Sequence, residues 1–85
     1  MDATQLKRQA AERAVEFIES GMIVGLGHGS TAIWATRRLA ELLTSGQLKD
    51  ILAIPCSKQT EAEAQQLGIP LTTLEAHPFI DLTID

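Results

Sequence analysis

The chain has a single cysteine and few basic residues, and each shortage excludes a class of protein. Cys56 has no second cysteine to pair with, so no disulfide forms within the chain and a reducing, cytoplasmic setting is expected. Seven basic residues against eleven acidic ones give a formal net charge of −4, which disfavours nucleic acid or an acidic membrane as the main partner. No apolar run approaches the roughly 18 residues of a membrane span, and the N-terminus has no apolar segment like that of a signal peptide.

The 85 residues that are present leave room for one small domain, over residues 1–85. Hydrophobic residues make up 45% of the chain, which indicates a globular protein rather than a disordered one. A chain of this length buries only roughly 60–65% of its unfolded surface, so its core is marginal unless something else covers it.

Helical and extended patterns alternate along the chain. Apolar residues at three- and four-residue spacing predict three helices, over residues 4–19, 31–43 and 58–67. Thr4 is the expected N-cap of the first helix and Gly21 its end, while Ser57 caps the third helix and Gly68 ends it. Short apolar runs predict three strands, over residues 22–25, 51–55 and 80–84, and a short extended piece at residues 71–72. This order predicts an α/β fold: a Rossmann-like three-layer α/β/α arrangement with a mostly parallel sheet.

The last predicted strand ends where the chain ends. Alternation places Ile80, Leu82 and Ile84 on one face of it and Asp81 on the other, at a sheet rim or hydrogen-bonded to backbone. A strand left uncovered at the end of a sheet is a liability that natural domains usually block. The sheet is therefore expected to be incomplete at its C-terminal end, as the N-terminal part of a longer protein.

Residues 25–31, with the sequence GLGHGST, form the most informative segment and are called the glycine turn below. They lie between a predicted strand and a predicted helix. Glycines let the backbone approach a ligand closely, and the following helix directs free N–H groups and the positive end of its dipole at the turn. Ser30 and Thr31 add hydroxyl donors, so the segment predicts a phosphate site. The alternative is that the glycines only make a tight strand-to-helix turn.

Two stricter phosphate motifs are absent from the glycine turn. No lysine follows the glycines, which excludes the GxxxxGK[ST] loop of nucleoside triphosphatases. The third glycine comes one residue too early for GxGxxG, which makes a dinucleotide site a weak interpretation.

Ligands of parallel α/β sheets bind beyond the carboxyl ends of the strands. The glycine turn, residues 56–58 and Asp85 all lie there, which predicts a cluster suited to a phosphorylated polyol. Plainer roles stay open for some of these residues: Ser57 as a helix cap, Lys58 and Asp85 as solvated side chains, and Cys56 as a packing residue. Isolated histidines at 28 and 77 do not predict a metal site.

Four segments resemble the type A ribose-5-phosphate isomerases. Residues 23–32 are similar to that family's V-G-x-G-T-G-S-T-A signature, and residues 54–61 resemble its I-P-T-S-x-x-T-E segment. Residues 67–71 match its L-G-I-P-L, and residues 77–85 resemble the H-P-x-I-D-L-x-I-D that leads into its D-G-A-D-E motif. The segments occur in the same order at similar spacing, which makes them far more specific together than the glycine turn alone.

The resemblance implies interconversion of ribose 5-phosphate and ribulose 5-phosphate through an enediolate, without a metal or organic cofactor. It implies that Lys7 approaches the phosphate, that Asp85 helps hold the sugar, and that the glycine turn contacts the substrate. The implied substrate-binding residues are Lys7, Gly27, His28, Gly29, Ser30, Thr31 and Asp85. His28 and Cys56 each stand where the family has threonine.

The resemblance assigns no catalytic residue to this chain, because the family's general base lies beyond position 85. The chain alone is therefore expected to bind the sugar phosphate without turning it over. Two alternatives stay open: a sugar-phosphate-sensing module of a regulatory protein, and a minimal folding fragment without activity. A homo-oligomer is expected in solution, because exposed apolar surface must be buried by another copy.

Overall fold

The computed structural model describes residues 2–84, and these residues form an α/β fold with a parallel sheet, as predicted. Six elements follow one another along the chain: α1 (Ala3–Val15), β1 (Ile23–Leu26), α2 (Ser30–Ser45), β2 (Leu52–Pro55), α3 (Lys58–Gln66) and β3 (Leu82–Ile84). No helix in this part of the chain is long and apolar enough to cross a membrane.

The sheet has the order β2-β1-β3, and both strand pairs are parallel. In the central strand, Val24 is in register with Ala53 on one side and Leu82 on the other. Leu71 forms an isolated bridge with Ala53, through hydrogen bonds that use the side of β2 turned away from β1. Successive strands are therefore added in one direction across the sheet, from β1 to β2 and then to the bridge at Leu71.

The core lies between the helices and one face of the sheet. That face carries Val24, Leu26, Ala53 and Ile84, all of which are buried together with helix residues such as Leu39. The helix α1 packs beside α2, and α2 in turn contacts α3, so these helices form one layer. Right-handed crossovers that advance in one direction place their helices on the same face, which explains this arrangement.

The opposite face of the sheet carries no helical layer in residues 2–84. Ile23, Leu52 and Ile54 point to that face and are only half-buried. The second helical layer of the expected three-layer arrangement is thus not found in the part of the chain that the structure describes.

The ends of the first helix differ from the prediction. Asp2 rather than Thr4 is the N-cap, and its carboxylate accepts a hydrogen bond from the Gln5 backbone N–H at 2.9 Å. The helix ends at Val15, four residues earlier than predicted, yet Ile18 is still buried in the core from the turn that follows. The apolar spacing is a poor guide to burial here, because Leu6 and Phe17 are 53% and 68% exposed and Ile18 is buried after the helix has ended.

The last strand begins at Leu82, two residues later than predicted. Asp81 takes the position before it and hydrogen-bonds to the backbone, one of the two placements expected for it. Ile80 does not share a face with Leu82 and Ile84: a Cβ added to Gly25 would meet the side chains of Ile80 and Thr83. The prediction that Ile80 lies on the face of Leu82 is therefore wrong, because regular alternation does not extend past the start of the strand.

Candidate functional site

The carboxyl edge of the sheet, where the strands end at Leu26, Pro55 and Ile84, gathers the segments that the sequence placed there. The Gly27 N–H donates to the Ile84 carbonyl at 2.6 Å, which ties the glycine turn to β3. The Cys56 N–H donates to the Leu26 carbonyl at 3.1 Å, which ties residues 56–58 to β1. The predicted neighbourhood of the glycine turn and residues 56–58 is confirmed.

The helix α2 starts without a side-chain cap. Gly29 is its N-cap residue, in an extended conformation with φ −175°, and the first intrahelical bond runs from the Ile33 N–H to the Gly29 carbonyl at 3.0 Å. The backbone N–H groups of Ser30, Thr31 and Ala32 have no hydrogen-bond partner within residues 2–84. Free N–H groups and the positive end of a helix dipole form a favourable position for an anion.

The other two helices are capped by their own side chains. Asp2 caps α1, and the Ser57 hydroxyl caps α3 by accepting from the Thr60 N–H at 3.1 Å. The predicted role of Ser57 as a cap is confirmed. An aspartate or serine at position 29 would satisfy the N–H groups of α2 from within the chain, whereas glycine leaves them available to a ligand.

A chain of hydrogen bonds joins the glycine turn to α3. His28 Nδ1 lies 3.2 Å from Ser57 Oγ, which in turn lies 3.0 Å from Thr60 Oγ1. The Thr60 hydroxyl is also 3.5 Å from the Gly27 carbonyl oxygen, and Thr60 is buried. This network places an imidazole and two hydroxyls beside the uncapped start of α2.

The sequence assigned no role to Thr60 beyond its match to the second threonine of the I-P-T-S-x-x-T-E segment. Thr60 lies three residues after the cap of α3, where a threonine side chain ordinarily faces either solvent or the sheet. Its contact with Ser57 is local, whereas the packing of α3 against the glycine turn brings its hydroxyl within 3.5 Å of the Gly27 carbonyl oxygen.

Lys7 is not brought to the site by any contact within residues 2–84. Lys7 is exposed on α1, and its side chain makes no hydrogen bond or ion pair among residues 2–84. Its neighbour Arg8 lies over the Trp34 ring at 5.7 Å, so the first half of α1 runs beside the start of α2. Asp85 lies outside the described residues.

Two further side chains, those of Cys56 and Trp34, lie near the site. Cys56 is exposed, so the expectation that it fills a packing position is wrong: it projects from the strand end rather than into the core. Trp34 is half-buried against the core, with the Arg8 and Arg37 guanidinium groups 5.7 and 5.3 Å from its ring, so its role is in packing. Within residues 2–84, no three histidine, cysteine or acidic side chains group closely enough to hold a metal ion.

Comparison with known proteins points to one family. Residues 52–85 match the family model of ribose 5-phosphate isomerase A (phosphoriboisomerase A). The chain is 59% identical to a probable ribose-5-phosphate isomerase 2 of Arabidopsis thaliana, over 100% of this chain and 33% of that protein. It is also 59% identical to a ribose-5-phosphate isomerase A of Desulfatibacillum aliphaticivorans, over 94% of this chain and 35% of that protein. The chain thus resembles a fragment of ribose-5-phosphate isomerase A, about a third of the length of these proteins.

Solved structures of the family have the same fold over this segment. A ribose 5-phosphate isomerase from Plasmodium falciparum aligns with a TM-score of 0.93 at 51% identity, over 96% of this chain and 35% of that one. A D-ribose-5-phosphate isomerase in complex with phospho-erythronic acid aligns with a TM-score of 0.97 at 36% identity, over 100% of this chain and 37% of that one. The chain thus spans about a third of the length of these family members.

Proposed function

We propose that this chain supplies the phosphate-binding part of an isomerase that interconverts ribose 5-phosphate and ribulose 5-phosphate. The observation that carries the proposal is the uncapped start of α2 at the carboxyl edge of the sheet. There the N–H groups of Ser30 and Thr31 are free of partners within residues 2–84, next to His28. A phosphate accepts several hydrogen bonds at once and is favoured by the helix dipole.

The family relative bound to phospho-erythronic acid supports this choice of ligand. That molecule is a phosphorylated sugar acid, and its protein aligns with the whole of this chain. We propose that the glycine turn of this chain binds the same chemical class. The resemblance also favours an isomerase over a sugar-phosphate-sensing regulatory module.

Each predicted site residue has a proposed role. The N–H groups and hydroxyls of Ser30 and Thr31 donate to ligand oxygens, Gly27 allows close approach of the backbone, and Gly29 leaves the N–H groups of α2 without a side-chain cap. Lys7 lies on α1, and its ammonium group offsets the negative charge of the phosphate. Asp85 accepts hydrogen bonds from sugar hydroxyls. A lysine on an exposed helix reaches a neighbouring anion through its flexible stem, which fits its lack of other partners.

The isomerisation itself needs a proton carrier at two adjacent carbons. A base removes the proton from C2 of the open-chain aldose, which gives an enediolate. A proton is then returned to C1. The O2 hydroxyl proton passes to O1 as the carbonyl moves from C1 to C2. In residues 2–84 no carboxylate hydrogen-bonds to the glycine turn. We therefore propose that the 85-residue chain binds the sugar phosphate without converting it.

Two measurements on the 85-residue chain test the proposal. Titration with ribose 5-phosphate, followed by amide NMR, should shift the resonances of the glycine turn and the start of α2. A coupled assay for ribulose 5-phosphate should show no turnover above background. Shifts spread over α1 and α3 but absent from the glycine turn would place the ligand elsewhere, and turnover near that of a complete family enzyme would refute the inactivity.

We also propose that the chain self-associates. Phe79 is 82% exposed, and the sheet face formed by Ile23, Leu52 and Ile54 is only half-buried. A second copy covering this face would remove that apolar surface from water. The homo-oligomer expected from exposed apolar surface therefore has a specific candidate surface.

A further inference from the structure

The hydroxyl groups of Ser57 and Thr60 determine which ring nitrogen of His28 can donate a hydrogen bond to a ligand. Ser57 Oγ lies 3.2 Å from His28 Nδ1, 3.0 Å from Thr60 Oγ1 and 3.1 Å from the Thr60 backbone nitrogen. A serine hydroxyl has one hydrogen to donate and two lone pairs to accept with. Three partners therefore use its whole capacity, and the direction of each bond can be assigned.

Thr60 occupies both lone pairs of Ser57 Oγ. Its backbone N–H can only donate, so it occupies one lone pair of Ser57 Oγ. Its hydroxyl has two possible acceptors: the Gly27 carbonyl at 3.5 Å, at the outer limit of hydrogen bonding, and Ser57 Oγ at 3.0 Å. The shorter bond is the stronger, so the Thr60 hydroxyl occupies the second lone pair of Ser57.

The remaining hydrogen of Ser57 then goes to the histidine. Because both lone pairs of Ser57 Oγ are occupied, its O–H donates to His28 Nδ1. A neutral imidazole that accepts at Nδ1 carries its own hydrogen at Nε2. Nε2 has no hydrogen-bond partner in the part of the chain that the structure describes.

We propose that Thr60 and Ser57 are positioning residues that hold His28 as an Nε2–H donor to an oxygen of the sugar phosphate. This role rests on the proposed function, because it lies within the same site. Ionised phosphate oxygens accept hydrogen bonds and cannot donate them, so a histidine fixed as a donor favours the ionised ligand. Fixing the ring before binding also reduces the entropy lost when the ligand arrives.

The first test needs no ligand. Nitrogen NMR of the His28 ring in the 85-residue chain, at a pH where the ring is neutral, should show the Nε2–H tautomer in the wild type and in S57T. In S57A and T60V the Nδ1–H tautomer should gain population, and T60V leaves the backbone cap of α3 in place. A hydrogen on Nδ1 in the wild type, or equal tautomer populations in all four proteins, would overturn the proposal.

The second test is a double-mutant cycle on the affinity for ribose 5-phosphate. S57A should weaken binding about three- to tenfold, the range for one hydrogen bond, and should have no further effect in an H28T background. Equal weakening in both backgrounds would mean that Ser57 acts only through the cap of α3, which contradicts the proposal. If the wild-type chain binds no ribose 5-phosphate at all, the proposed function fails, and the tautomer measurement still decides the role of Ser57.

Discussion

Asp81 and Ile23 bind each other through two hydrogen bonds across 58 residues of sequence. The Ile23 N–H donates to the Asp81 carboxylate at 2.7 Å, and the Asp81 N–H donates to the Ile23 carbonyl at 2.9 Å. This pair lies at the edge of the sheet opposite the carboxyl edge and aligns the starts of β1 and β3. The carboxylate therefore has a structural role, although its place in a predicted strand suggested only a rim position or a backbone bond.

Replacing Asp81 by alanine should lower the free energy of unfolding by about 1–2 kcal/mol, because the Ile23 N–H loses a charged acceptor. Urea unfolding followed by circular dichroism measures the change. D81N should lose less, since an amide oxygen can still accept. E75A is the matched control, because the Glu75 carboxylate makes no hydrogen bond within residues 2–84. Equal loss in D81A and E75A would show that the bond contributes nothing.

Gly29→Asp should stabilise the chain and abolish ligand binding at the same time. A carboxylate at the N-cap accepts from the free N–H groups of α2, which adds about 1 kcal/mol of stability, and its charge repels phosphate. Position 29 has an extended backbone and open space around it, so a side chain fits there.

Gly29→Ala is the matched control for that change, because it adds a Cβ without a capping group. G29A should keep its affinity for ribose 5-phosphate within about threefold, whereas G29D should lose at least about tenfold. Calorimetric titration gives the affinities, and thermal unfolding gives the stabilities. Unchanged binding in G29D would contradict the proposal that the start of α2 holds the phosphate.

Two positions in left-handed backbone conformations should respond in opposite directions. Asp50 has φ 59° without being glycine, so D50G should raise the free energy of unfolding by up to about 1 kcal/mol. Gly46 ends α2 at φ 81°, so G46A should lower it by about 1 kcal/mol. Chemical unfolding of both variants checks this, and a stabilised G46A would refute the backbone explanation.

Self-association should be visible in sedimentation velocity at micromolar concentration, as a dimer or larger species. F79S should shift the chain toward monomer if a second copy covers Phe79, which directly precedes Ile80 in the sequence and is 82% exposed. Phe17 is 68% exposed after α1, far from Phe79 in the sequence, so F17S serves as the control. A wild-type chain that sediments as a monomer would rule out the proposed assembly.

Sequence patterns predicted the structure correctly where all of the interacting groups lie in one short segment of the chain. Ser57 caps α3 and Gly68 follows its end at φ 76°, as predicted, because a cap needs only residues three or four positions apart. The glycine turn was located for the same reason, since its strand and helix adjoin it directly. The error at the end of α1 arose because Ile18 is buried without being helical, and apolar spacing cannot separate the two.

By itself, the sequence determined the order of helices and strands, the parallel sheet, the place of the glycine turn and the resemblance to ribose-5-phosphate isomerase A, because these depend on local chemistry and on ordered motifs. The tertiary structure alone decided which atoms meet across long stretches of chain. His28 and Ser57 are 29 residues apart, and Asp81 and Ile23 are 58 apart. No local preference encodes such contacts: they follow from the register of the strands and from the packing of three helices on one face of the sheet.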